Sequence, residues 1–213
     1  MKSTKSGFST LSDLLGRIER LFLSVIIGLL PPLVLGLAGW WISTPFVKEE
    51  QIVYYALGGL FAGILVDLLF LRHWTRKALT ASISWPAAVF MIYSICVFGF
   101  FMGVPAFNLL LGPVWGYYMG MRLRAKHAEK PDMERTARQS GAFTAGVLAL
   151  ACLAALLIAG FDPSLEANIQ GMFGLAKPLG RSMILGLSGL AGLVLVALEY
   201  LLTRAAVKFS SFQ

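Results

Sequence analysis

Residues 141–160 read GAFTAGVLALACLAALLIAG, twenty positions without a charged side chain. As a helix, at ~1.5 Å per residue, this run is ~30 Å long, the hydrocarbon thickness of a bilayer. It is apolar all round, with no polar face at helical spacing. That suits a helix surrounded by lipid and other helices better than one covering a water-soluble core.

Working outward, runs of the same kind occupy 21–43, 52–71, 84–104, 107–121 and 183–203. Of the chain's 213 residues, 57% are hydrophobic and only 14% charged, and mean hydropathy is +0.75. A soluble domain carries roughly 25% charged residues. Six spans with their connections consume the chain and leave no stretch for a soluble domain of ordinary size. The expected fold is therefore all-α, a polytopic membrane bundle of six transmembrane helices over 21–204. A segment 1–20 precedes it and a tail 205–213 follows. Phe8, Leu11, Leu14, Leu15 and Ile18 recur at helical spacing in the first segment, as in a helix lying on the membrane surface. The first apolar run is too long for a signal-peptide core, and no A-x-A-like site follows it, so it is expected to stay as an anchor.

Charge orients the bundle. Fifteen of the 18 Lys and Arg fall in alternate connections: before 21, over 72–77, over 122–138 and after 203. Lys48, Lys177 and Arg181 alone fall on the other side. The positive-inside rule then places both termini in the cytoplasm. Trp40, Trp41, Trp74 and Trp85 lie at span ends, where aromatic belts form. The uncharged link Gly103-Val104-Pro105-Ala106 is the least certain turn, and a re-entrant segment is its alternative. A prokaryotic cytoplasmic membrane is the expected location. The net charge of +7 is accounted for by topology and by attraction to anionic lipid, or to an acidic partner at 122–138, rather than by nucleic acid.

Small residues recur at four-residue spacing: Gly59 and Gly63, Gly112, Gly116 and Gly120, and Ala151, Ala155 and Ala159. Such faces let helix backbones approach closely in lipid. They pack the bundle together, or one of them docks another membrane subunit. Asp67 and Glu199 are the only acids well inside apolar runs, each five residues before an arginine. They are structural partners of basic groups or an ion or proton site. The fourth run combines Asn108, Trp115, Tyr117 and Tyr118 with glycine and Pro113. Together with Tyr93 these residues are candidates for lining a solute pocket. Pro31 and Pro32 should kink the first helix. Asp162-Pro163-Ser164 reads as a helix start, with proline at the first helical position, in an apolar outer loop that folds over the bundle or rests on lipid.

Cys96 and Cys152 sit inside apolar runs as small apolar side chains. His73 and His127 fall in inner connections, and the chain lacks Walker A, H-E-x-x-H and G-x-S-x-G sequences. No metal, cofactor or catalytic residue is expected. Two acids are a thin basis for an enzyme. The expected function is binding or translocation of a small solute, alone or as the membrane subunit of a transporter. The alternative is a non-catalytic structural or assembly subunit of a membrane complex.

Overall fold

The computed structural model describes residues 4–212 apart from 102, 127–128, 175–176 and 178; His127 lies outside the described residues. Helix is the only regular secondary structure among the described residues. Its α-helices are α1 Thr4–Gly28, α2 Leu30–Ser43, α3 Glu49–Lys77, α4 Ser84–Phe100, α5 Leu111–Ala125, α6 Lys130–Phe161, α7 Leu165–Phe173 and α8 Arg181–Phe212. A 3-10 turn over Pro105–Leu110 leads into α5. Four stretches are long and apolar enough to cross a membrane: Gly16–Ser43, Glu49–Lys77, Lys130–Phe161 and Arg181–Ser211. At ~1.5 Å per residue, α4 covers ~26 Å and α5 ~22 Å, short of a ~30 Å core.

Two compact units divide the chain, Met1–Val89 and Phe90–Gln213. In the first, the first apolar run is two helices rather than one. Pro31 and Pro32 lack the N–H groups that would bond one turn back, so the helix breaks at Leu29. Backbone bonds continue on either side, from Leu29 N–H to Val25 and from Leu33 N–H to Leu29. α2 and α3 then pack antiparallel. Gly59 lies against the Leu35 and Gly36 backbone, Gly63 against Pro31 and Pro32, and Gly39 against Tyr55 and Ala56. A Cβ at Gly59 or Gly63 would collide with main-chain atoms, so these glycines set the helix separation.

In the second unit, α4 ends in a turn at Gly103, whose φ of +80° a side chain would oppose. Its N–H donates to Phe98 O at 2.8 Å. The residues that follow form a 3-10 turn where the sequence suggested continuous α-helix from 107. Pro113 is the cause, because it cannot bond to Leu109 and its ring crowds that carbonyl. The tighter turn satisfies Leu111 N–H on Asn108 O instead.

α6 and α8 run antiparallel, and α5 runs parallel to α8. Gly141 faces Tyr200 and Arg204, while Cys152 faces Gly192. Gly112, Gly116 and Gly120 lie in turn against Glu199, Thr203 and Val207. α6 meets α8 through Gly141, Thr144, Ala145, Leu148 and Cys152, all buried. Ala151, Ala155 and Ala159 are half-buried to one side of that face. Both helices extend past their apolar runs, and there Glu134 pairs with Arg204 at 2.5 Å and Lys208 at 2.7 Å.

The surface is inverted relative to a soluble protein. Leu187, Leu190, Leu193, Val194, Leu198 and Leu201 of α8 are exposed, while Glu199, Thr203 and Ser210 are buried. Likewise Leu57, Phe61, Leu68 and Leu69 of α3 face outward. Apolar outside and polar inside is the arrangement that lipid selects. The apolar helices therefore call for a bilayer environment.

The loop after α6 differs from its expected form. α7 begins at Leu165, two residues beyond Pro163. Asp162 Oδ1 accepts the Ser164 N–H at 2.8 Å and the Ser164 hydroxyl at 2.6 Å. These bonds hold the Asp162 carboxyl below the usual range, helped by the Arg181 charge. Arg181 also donates to Asp162 O through its guanidinium, and its N–H donates to Glu166 Oε1 at 3.0 Å. The loop thus straps the end of α6 to the start of α8.

Candidate functional site

The polar residues buried on α8 form one column. Glu199, Thr203 and Ser210 are at most 1% exposed and follow one another at helical spacing, Glu199 and Ser210 toward α5 and Thr203 toward Thr144 of α6. Only glycine on α5 lets them fit. A Cβ at Gly116 would sit 2.5 Å from Thr203 O, and one at Gly120 2.6 Å from Val207 O. At Gly112 a Cβ would collide with the Glu199 carboxyl itself. With glycine at position 112 the carboxyl rests directly against the α5 backbone, and an added Cβ would make it move.

Each group of the column can be followed to its partners. Thr203 and Thr144 share a hydrogen bond of 2.8 Å between hydroxyls, and both are fully buried. Ser210 donates to Tyr117 O at 2.8 Å. The Gly112 backbone lies against the Glu199 carboxyl. One oxygen is left over: Glu199 Oε2 is buried and has no hydrogen-bond partner.

Two more buried polar atoms without partners belong to the same helix start. Asn108 is 3% exposed. Its amide donates to Ser94 O at 3.0 Å, but its Oδ1 accepts nothing. Trp115 Nε1 is likewise without an acceptor. A buried polar group left unpaired costs ~1–3 kcal/mol. Three such atoms thus belong to the start of α5 or to the residue packed against it.

The residues singled out from sequence are distributed as follows. Asn108 and Glu199 fall at this site, one on the turn before α5 and the other against Gly112. Trp115 and Tyr118 are buried in a packed aromatic cluster: Trp115 lies 5.4 Å from Phe90, 5.1 Å from Phe143 and 6.1 Å from Tyr118 between ring centroids. Their rings therefore touch other rings. Tyr117 is half-buried and contributes its carbonyl to Ser210, and Tyr93 is half-buried on α4. Asp67 belongs to the first unit. It is half-buried on α3 near Gly28, and its Oδ1 also lacks a partner.

Sequence reading passed over Thr144, Thr203 and Ser210. A signal was there for the last two: Glu199, Thr203 and Ser210 fall at i, i+4 and i+11 in an otherwise apolar helix. Thr144 gives no such sign, because its role depends on which helix faces it.

No family model matches the chain, and neither a curated protein nor a solved structure was found to be similar to it.

Proposed function

We propose that this chain is a membrane protein that binds or moves a small cation, the proton included, at Glu199. One observation carries the reading: a fully buried carboxylate, seated where glycine makes room for it, with an oxygen that no protein group satisfies. An acid inside an apolar helix is retained at a cost in insertion free energy, and ion and proton pathways are where such acids are used. The side-chain Oδ1 of Asn108, on the turn before α5, is also buried and unpartnered, an oxygen of the kind small cations take.

The proposal includes six crossings, with both termini and the 126–129 connection on the cytoplasmic side of a prokaryotic inner membrane. Supporting it, the 3-10 turn and α5 together cover ~34 Å at ~2.0 and ~1.5 Å per residue. The alternating directions of α5, α6 and α8 are those that three successive crossings of this bundle require. The basic ends of α3, α5 and α8 fit the positive-inside rule.

Purified protein tests the site. Its thermal stability is measured in lithium, sodium, potassium and choline chlorides and across pH, for the wild type, Glu199→Gln and Asp67→Asn. A ligand that binds only the folded state raises its stability by ~2.7 kcal/mol at a hundred times its Kd. The expected result is a stabilisation by one cation or by protons that Asp67→Asn keeps and Glu199→Gln abolishes. If wild type and Glu199→Gln respond alike to every cation and to pH, Glu199 is not the site.

A further inference from the structure

We infer that the groove at the polar end of α6 and α8 holds the headgroup phosphate of an anionic phospholipid. A cavity of about 550 Å³ opens there, lined by Glu134, Arg135, Arg138, Gln139 and Ala142 of α6 and by Tyr200 of α8. Positions 135, 138, 139 and 142 fall at i, i+3, i+4 and i+7, so they form one helix face.

Charge decides what fits. The carboxylate of Glu134 is taken up by Arg204 and Lys208 at 2.5 and 2.7 Å. Arg135 and Arg138 are exposed, and among the described residues neither has an acidic partner. Two guanidinium groups one turn apart, beside an amide and a phenol, match a phosphate diester. Arginine binds phosphate with two parallel hydrogen bonds and little loss of side-chain freedom. Tyr200 is braced at the groove wall, with the Arg204 guanidinium 5.4 Å from its ring centroid.

Depth favours a lipid over a soluble anion. Ala142 lies on the rim, where the apolar run of α6 begins, so the arginines stand at headgroup level on any reading that puts this run in the bilayer. Below the rim the same face continues through Gly146, which has open space beside it, to exposed Leu150 and Leu153. An acyl chain attached to the phosphate can lie along it. This inference rests on the membrane reading of α6 and α8, and it is independent of Glu199.

The test uses the full-length protein in neutral detergent. Thermal stability and native mass spectra are recorded with added dioleoyl-phosphatidylglycerol, dioleoyl-phosphatidylcholine, inorganic phosphate or an oligo-glutamate peptide. The variants are Arg135→Gln/Arg138→Gln and, removing the same charge nearby, Lys126→Gln/Lys130→Gln. Phosphatidylglycerol is expected to stabilise wild type and the lysine variant and to remain bound in the gas phase. At least a tenfold loss of apparent affinity is expected in the arginine variant, with no effect of phosphatidylcholine on any of them. Equal responses of the two double variants would reduce the effect to general charge attraction and overturn the inference. So would an equal effect of the two lipids, or stabilisation by phosphate or the acidic peptide without phosphatidylglycerol. The cation response of Glu199 is read separately, so either result can fail alone.

Discussion

Gly116→Ala adds one methyl group between α5 and α8. The new carbon would lie 2.5 Å from Thr203 O and 2.9 Å from the Ala206 Cβ. Carbon atoms rest comfortably at ~3.5–4.0 Å. The obstructing atoms are main chain and a methyl group, with no rotamer to move, so the helices must separate by ~1 Å. A gap of that size forfeits ~25–50% of each affected contact. It also stretches the 2.8 Å bond from Ser210 to Tyr117 O beyond hydrogen-bonding length. Overpacking costs ~1–3 kcal/mol and the lost bond ~1 kcal/mol, offset by ~1 kcal/mol of better helix propensity. The expected net destabilisation is ~1–3 kcal/mol. Gly146→Ala is the control. Gly146 has nothing within 4 Å, so only the propensity gain remains, and the change should be neutral or stabilising by up to ~1 kcal/mol. Unfolding by sodium dodecyl sulfate titration in mixed micelles, followed by tryptophan fluorescence, measures both. If Gly116→Ala and Gly146→Ala behave alike, α5 and α8 do not meet backbone to backbone and the account of how Glu199 is seated fails with it.

Two further expectations concern other contacts. Thr144→Val leaves the buried Thr203 hydroxyl without its partner, at a cost of ~1–2 kcal/mol, and adding Thr203→Val should recover part of that loss; additive losses in the same titration would show that the two hydroxyls are not coupled. Asp162 has a lowered folded-state pKa, so its contribution to the α7 strap is present at neutral pH and lost only as pH falls through that lowered value. Hydrogen exchange in α7 should therefore stay slow down to the ordinary aspartate range and rise below it. Asp162→Asn should remove the step, and a step unchanged in that variant would assign it to another acid.

The helices were legible because lipid demands long apolar runs, and 141–160 or 183–203 need no partner to be recognised. Their ends were less so. Composition stops a span at Arg204, while the helix runs on to Phe212 because Arg204 and Lys208 find Glu134 on a neighbouring helix. The 3-10 turn before α5 was readable in principle from Pro113. At the site, sequence flagged Glu199 by its charge in an apolar run and Gly112 by its spacing. That the two meet follows from tertiary packing between residues far apart in the chain. No local pattern contains that, nor the packing of Trp115 against Phe90, Phe143 and Tyr118.

The parallel pairing of α5 with α8 has a consequence for assembly in the cell. During synthesis α5 leaves the ribosome well ahead of the helix it fits, with a bare glycine edge, a proline and two arginines, and little greasy surface of its own to hold it in lipid. Until α8 is made, the glycine edge of α5 lacks the helix it packs against.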